Sequence, residues 1–297
     1  MAGQRKPKWV VRVATMFVAS SLIAGIGGCG DLVSGANAVP TVKYRPDASQ
    51  VASTDGGNTS EGSGTAETAT GAGGIGNLKG KVVFEGDFSP LAALFAKGTA
   101  TKDPSVCAAG DSIPNETLLV KDGGLANVFV YLEKAPKGAS VPGVDESAAV
   151  LFDQKNCVFL PHAMIIRTKT ALKVLNDDAA AHNTHTYPKK NSPFNSVVQP
   201  NDRVGVPLKY DLAEKEPLTV GCDIHPWMVA YHLPLDHPYA ALSAADGTFE
   251  IRDLPAGKHE FRVWHEVGKM IQKSWVVDIK AGENEATIKV PASQLGK

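Results

Sequence analysis

The residues best suited to chemistry form one short stretch, Cys222-Asp223-Ile224-His225-Pro226-Trp227-Met228. Two imidazoles and a thiolate, with a weak axial thioether, suit copper that alternates between Cu(I) and Cu(II). This stretch supplies the thiolate, one imidazole and the thioether, so a second histidine must come from elsewhere in the chain. Half of a structural zinc site is the competing interpretation, but zinc does not use methionine and no second Cys-x-x-His pair exists.

The missing histidine is found upstream, in Asn176-Asp177-Asp178 followed by Ala181-His182-Asn183-Thr184-His185. Together the two motifs resemble the cupredoxin (blue copper) family, and the Cys-x-x-His-Pro-aromatic-Met stretch is similar to the short ligand loop of amicyanin. The resemblance implies a Greek-key sandwich that holds one type 1 copper through His182, Cys222, His225 and an axial Met228. It also implies that Asn183 tethers the two ligand loops and hydrogen-bonds near the cysteine sulfur.

His185 competes with His182 for the ligand role. Residues three apart on a strand point to opposite faces, so both histidines cannot easily reach one metal ion, and the asparagine after His182 favours that residue. Whether His162 or His185 forms a second metal site stays open.

The N-terminus predicts export. Four basic residues precede a short apolar stretch, Val13 to Ile26, which is typical of a signal peptide over residues 1–28. Ile26-Gly27-Gly28-Cys29 resembles a bacterial lipobox and implies a lipid on Cys29, a membrane anchor and a location in the cell envelope, with inner and outer membrane both open. A plain signal peptide cut nearby is the alternative. The rest of the chain carries 26 Lys and Arg against 31 Asp and Glu, which argues against a nucleic-acid partner.

The remaining chain predicts an all-β protein behind a tether. Residues 29–75 are rich in Ser, Thr and Gly and cannot bury enough apolar area to fold, so we expect a disordered linker. Short alternating stretches separated by Gly, Pro, Asn and Asp then predict strands up to the C-terminus. Only Pro90–Lys97 and Pro291–Leu295 favour a helix.

A second β-sandwich is indicated by the stretch from Asp246 to Lys258, whose first twelve residues read D-G-x-F-x-I-x-x-L-P-x-G. This pattern resembles the carboxypeptidase regulatory-like (transthyretin-like) family, whose opening strands are similar to Gly80-Lys81-Val82 and to the strand from Ala126 to Leu132. We therefore expect a cupredoxin domain at 146–239 inserted between two parts of this sandwich, 76–145 and 240–297. A tandem arrangement, with the first part extending the cupredoxin, is the alternative.

Two cysteines remain once Cys29 is assigned to lipid and Cys222 to copper. An exported protein meets an oxidising compartment, so we expect a Cys107–Cys157 disulfide. The predicted function is one-electron transfer without catalysis, with a redox protein docking on the exposed edge of His225 and on Trp227. Copper handling without electron transfer is the alternative.

Overall fold

The computed structural model describes residues 73–296. The predicted signal peptide, the lipidation of Cys29 and almost all of the predicted tether lie outside the described residues. Between residues 73 and 296, no helix has the length and apolar character needed to cross a membrane.

The prediction of an all-β fold is confirmed. The described residues form eighteen strands and one 3-10 helix, which are joined by loops. In chain order they are β1 Ile75–Glu85, β2 Val120–Lys121, β3 Gly124–Leu125, β4 Phe129–Leu132, β5 Ala149–Lys155, β6 Val158–Leu160, β7 Ala163–Arg167, β8 Ala171–Val174, β9 His182–Tyr187, β10 Asn195–Val198, β11 Val206–Lys209, β12 Leu218–Gly221, β13 Val229–Leu235, β14 Ala240–Leu242, β15 Thr248–Pro255, β16 Gly257–His265, β17 Lys269–Ile279, β18 Gly282–Pro291 and the 3-10 helix Ala292–Leu295.

Two sheets combine strands from both ends of the described chain. One has the order β15-β1-β3-β2 with β18 paired in parallel to β1, and the other has the order β14-β4-β16-β17. Apolar side chains that alternate along these strands, among them Leu78, Val82, Ile251 and Val263, fill the core between the two sheets. Strands before residue 133 and after residue 239 therefore share one sandwich.

The strands between those two groups form the other two sheets, in the orders β10-β9-β12-β13-β7 and β11-β8-β5-β6. A separate core that includes Phe152, Phe159, Val220 and Met228 lies between them. Because β9 and β12 are neighbours in one sheet, the two motifs predicted to bear the ligands lie side by side.

The two sandwiches pack against each other through β4 and β13. All four residues of β4 are buried, since its second face meets Leu233 and Leu235 of β13. Trp264 of β16 joins this contact against Tyr231, with ring centroids 5.2 Å apart. A strand covered on both faces reads as a continuous apolar run, as Phe129–Leu132 does.

The turn at Asp246-Gly247, which opens the second quoted sequence pattern, has a clear physical basis. The Asp246 carboxylate accepts hydrogen bonds from the backbone N–H and the hydroxyl of Thr248, and Gly247 has a φ of +82° that disfavours residues with a side chain. The turn directs β15 back alongside β1.

The helix predicted over Pro90–Lys97 is wrong. This segment is irregular, and Phe95 forms an isolated antiparallel bridge to Ile113. Phe95 also packs against the core beside the ligand loop, so tertiary contacts outweigh the local helix preference.

A buried ionic contact lies where the two sandwiches meet. The Nε2 atom of His162, before β7, lies 2.5 Å from a carboxylate oxygen of Glu266, after β16, and its Nδ1 atom lies 3.9 Å from Glu116. Burial lowers the pKa of His162, but the hydrogen bond to Glu266 and the charges of Glu266 and Glu116 outweigh it and raise that pKa above 6.5.

We expect His162→Gln to lower the free energy of unfolding by about 1.5–3 kcal/mol at pH 6, the range for a hydrogen bond to a charged group. A histidine whose pKa is raised by folding stabilises fully below its unfolded value of 6.5 and loses that contribution as pH rises through the folded value. The difference from wild type should therefore shrink in urea titrations at increasing pH. A pH-independent difference would contradict the assignment.

Candidate metal centre

Three of the four predicted ligands converge on one buried point. The Nδ1 atoms of His182 and His225 lie 2.9 Å apart, and the Cys222 sulfur lies 3.9 Å from His225 Nδ1. Donor atoms of the three residues are all within 4.8 Å of one another. Both histidines are 0% exposed and Cys222 is 3% exposed, so the cluster is shielded from water.

The β12–β13 hairpin explains why Cys222, His225 and Met228 come together. Gly221 pairs with Val229, so residues 222–228 close the loop between the two strands. The Cys222 N–H donates to the Met228 carbonyl and the Met228 N–H donates to the His225 carbonyl, which folds the loop tightly. Met228 is 1% exposed and lies in the same core as Cys222. Its role as axial ligand stays a prediction.

Asn183 connects the two motifs. Its side-chain oxygen accepts from the backbone N–H of Asp223 at 2.7 Å and lies 3.3 Å from the Cys222 sulfur. Its amide group donates to the carboxylate of Asp223. These contacts hold the start of the ligand loop against β9, which bears His182.

Asp178 orients His182, a role that the sequence reasoning missed. Its carboxylate lies 2.8 Å from His182 Nε2 and accepts from the backbone N–H groups of Asn156 and Cys157. Because Nε2 of His182 is bonded to Asp178, its Nδ1 atom faces the other candidate donors. The sequence motif Asn176-Asp177-Asp178 could have pointed to this role of Asp178. The side-chain amide of Asn176 donates to the carbonyls of Ala180 and Gln199 and thereby fixes the loop.

Asp103 orients His225 in the same way, from a part of the chain that no motif marked. Its carboxylate lies 2.8 Å from His225 Nε2 across 122 residues of sequence, and Lys102 donates to the Ile224 carbonyl. The expectation of an exposed His225 edge is wrong, because this segment covers the imidazole. Trp227, the other residue expected at the docking surface, is half-buried, and its indole donates to the Cys157 carbonyl.

Burial, hydrogen bonds and neighbouring charges shift the pKa values of the three donors. Burial raises the pKa of Cys222, but the hydrogen bond with His182 and backbone N–H groups outweigh it and hold that pKa below its ordinary value. Burial lowers the pKa of His182, yet hydrogen bonds to Asp178 and Cys222 raise it to about 9. Burial and the charge of His182 lower the pKa of His225, and they outweigh the hydrogen bond to Asp103, which raises it. Folding thus shifts Cys222 toward its thiolate form and His182 toward its protonated form.

The donor set fits copper. Two other groups within residues 73–296 could hold a metal by spacing, but each uses Cys157, which is joined to Cys107 by a disulfide with a Cα separation of 5.2 Å. Cys222 is the free cysteine of the described residues. Two imidazole nitrogens and a thiolate, with a buried thioether in the same core, match the preferences of copper better than those of zinc.

His185 lies outside the cluster. It pairs with Gly221 across the sheet, and its Nδ1 lies 3.1 Å from the carboxylate of Asp223. We expect His185→Ala to leave the visible spectrum of the copper-loaded protein unchanged, whereas His182→Ala should remove it. Absorption titrations with Cu(II) would test both variants, and loss of the band in His185→Ala would reverse the ligand assignment.

The solved structures that are similar to this protein cover about a third of the chain. No family model matches, and no curated protein matches. A copper-containing nitrite reductase from Thermus scotoductus SA-01 is 15% identical, with a TM-score of 0.28 over 32% of this chain. The match spans 25% of that enzyme's length.

Two other proteins are matched over nearly their whole length. A reduced-state amicyanin variant is 13% identical, with a TM-score of 0.27 over 32% of this chain and 97% of its own. A purple cupredoxin from Nitrosopumilus maritimus is 19% identical, with a TM-score of 0.25 over 30% of this chain and 99% of its own. The chemistry of the candidate centre follows from its own side chains.

Proposed function

We propose that this chain is a mononuclear type 1 copper protein that carries single electrons. His182, Cys222 and His225 would hold the ion, with Met228 as a weak fourth ligand. Bound copper supplies a one-electron couple between Cu(I) and Cu(II). The observation that carries the proposal is the convergence of two imidazoles and a free thiol, from strand β9 and from the loop after β12, on one buried point.

The protein's own contribution is to fix the donors in advance. Asp178 and Asp103 each hold one imidazole through Nε2, and Asn183 holds the backbone beside Cys222. Donors fixed in this way need little rearrangement when the charge of the site changes. The hydrogen bonds near the sulfur would also tune the reduction potential.

A redox partner would dock where the covering segment reaches solvent. Since His225 is buried, its own edge cannot be the contact surface. The Asp103 side chain is 49% exposed and bonded to His225, and the half-buried Trp227 lies beside it, with its ring 5.1 Å from that of His225. We place the docking surface around these two residues, with no catalytic step.

The cellular setting belongs to the same proposal and rests on the sequence. A lipid on Cys29 would anchor the protein in the cell envelope, and the linker of residues 29–75 would let the folded part stand away from the membrane. The Cys107–Cys157 disulfide suits an exported protein. The sandwich shared by residues 76–145 and 240–297 would act as a carboxypeptidase regulatory-like structural module around a cupredoxin domain at 146–239.

The test is spectroscopic and electrochemical. The copper-loaded protein should show an intense visible thiolate-to-Cu(II) band, a Cu(II) EPR signal and a reversible one-electron voltammogram. A protein that binds no copper, or binds it with no visible band, would contradict a type 1 centre.

Copper handling is the second candidate, favoured by one observation. Both imidazoles are fully buried, which suits storage of an ion better than rapid exchange of electrons at a surface. A colourless site that takes up Cu(I) alone and gives no reversible voltammogram would support handling. Reversible voltammetry would exclude a purely storage role.

A further inference from the structure

The long connection between β1 and β2 crosses from one sandwich to the ligand cluster of the other. It runs from residue 86 to residue 119 without a strand. We call its central part, residues 95–113, the cap. Buried side chains of the cap belong to the same core as Cys222 and Met228: Ala100, Cys107, Ala108 and Ile113.

Three contacts bring the cap onto the ligand loop. Asp103 reaches His225 Nε2 at 2.8 Å, and Lys102 donates to the Ile224 carbonyl at 2.8 Å. The rings of Phe95 and Trp227 meet edge to face with centroids 4.7 Å apart. The cap therefore covers the side of the cluster on which His225 lies, and it explains why that imidazole has no exposure.

A disulfide fixes the cap beside the donors. Cys107 of the cap is bonded to Cys157, and both sulfurs lie within 4.8 Å of a His225 nitrogen. Cys157 occupies the tight β5–β6 turn, where its N–H donates to Asp178. The covalent anchor and the carboxylate that holds His182 are thus adjacent.

We infer that the cap is a disulfide-latched closure over the metal ligands, and that its Asp103 is a positioning residue for His225. With Nε2 bonded to Asp103, the imidazole turns Nδ1 toward Cys222 and His182. The inference rests on the proposed function in that these three side chains are taken as the ligands. The carboxylate acts through the imidazole, as outer-shell partners of metal-bound histidines do.

The Cys107–Cys157 latch can be opened by thiol–disulfide exchange. A dithiol reductant transfers two electrons and two protons to the Cys107–Cys157 bond, which becomes two thiols, while the reductant becomes a disulfide. The bond joins residues 50 positions apart in sequence. Without it, the chain has more conformational freedom in every state in which the cap has left the core, so those open states are favoured. The cap is then held only by its packing and by hydrogen bonds that include those of Lys102 and Asp103.

The first test measures access to Cys222 in the metal-free chain. Cys107→Ser/Cys157→Ser and the disulfide-bonded wild type are treated with iodoacetamide, and alkylation of Cys222 is followed by mass spectrometry. We expect alkylation to be at least about tenfold faster in the double variant, because removing the cross-link favours open states. Equal rates in two proteins with the same circular dichroism spectrum would overturn the latch.

The second test keeps the disulfide and therefore does not depend on the double variant folding. Asp103→Ala should accelerate alkylation and weaken Cu(II) binding about tenfold, the low end for changes to outer-shell partners. Asp103→Asn keeps a hydrogen-bond acceptor and should restore wild-type behaviour. The matched control is Asp111→Ala, an exposed aspartate of the same cap.

The EPR spectrum of bound Cu(II) distinguishes a residue that positions the His225 imidazole from one that only stabilises the cap. Asp103→Ala should change the Cu(II) EPR hyperfine splitting, whereas Asp111→Ala should leave it as in wild type. If Asp103→Ala and Asp111→Ala are indistinguishable in alkylation and EPR, the positioning role is wrong. If wild type forms no thiolate–copper band at all, the proposed function fails, while the alkylation rates still decide whether the cap is a closure.

Discussion

Cys222→Ser is expected to abolish the visible band of the copper-loaded protein and to weaken copper binding by more than about 100-fold, since changes to outer-shell partners alone cost ~10–100-fold. The serine hydroxyl is a hard and weakly acidic donor that cannot replace a thiolate. The thiolate of Cys222 is favoured here by hydrogen bonds with His182 and backbone N–H groups. Competition with a copper chelator gives the affinity, and absorption gives the band.

Ile224→Val is the matched control for this substitution. Ile224 lies in the same loop, packs against the same core and offers no donor side chain. It should keep the band and the affinity within a factor of about three, as expected of a conservative apolar change. Retention of an intense band in Cys222→Ser would show that the copper lies elsewhere and would end the type 1 assignment.

Asp178→Ala is expected to lower the free energy of unfolding of the metal-free protein by about 3–5 kcal/mol, the range found when one partner of a buried ionic contact is removed. The carboxylate holds His182 Nε2 and the N–H groups of Asn156 and Cys157. His182 and Cys157 are buried, so the N–H groups that lose their acceptor there are left unpaired. Urea unfolding followed by tryptophan fluorescence measures the loss.

The neighbouring Asp177 provides the control. Its carboxylate pairs with Lys155 at the surface, where the two side chains are 40% and 63% exposed. Asp177→Ala should cost less than about 1 kcal/mol, as is usual for exposed ion pairs. Equal losses in the two variants would mean that Asp178 stabilises the fold no more than a surface charge does.

The β-strands and the chemistry of the ligands could be predicted from local sequence. Apolar residues two positions apart, such as Phe249 and Ile251 in the strand Thr248–Pro255, favour a strand because a buried face recurs every second residue. Cys222, His225 and Met228 are three and six residues apart, so one tight turn is enough to gather them. Their identities alone indicate copper, since a metal ion selects donors by softness.

The surroundings of those donors depend on contacts between distant parts of the chain. Asp103 lies in a segment whose Pro90–Lys97 portion favoured a helix, and long-range contacts such as the packing of Phe95 and the disulfide of Cys107 bring it to His225. Burial of His225 is likewise a property of the assembled sandwiches and has no local pattern.

The sequence by itself therefore determined the all-β class and the chemical types of the candidate donors, because strand periodicity and residue type are local properties. The tertiary structure alone decided which carboxylates orient the histidines and that the cluster is closed to solvent. Those features join residues as far as 122 positions apart. Contacts between such distant residues depend on how whole sheets pack together, and this packing leaves no pattern in any short stretch of sequence.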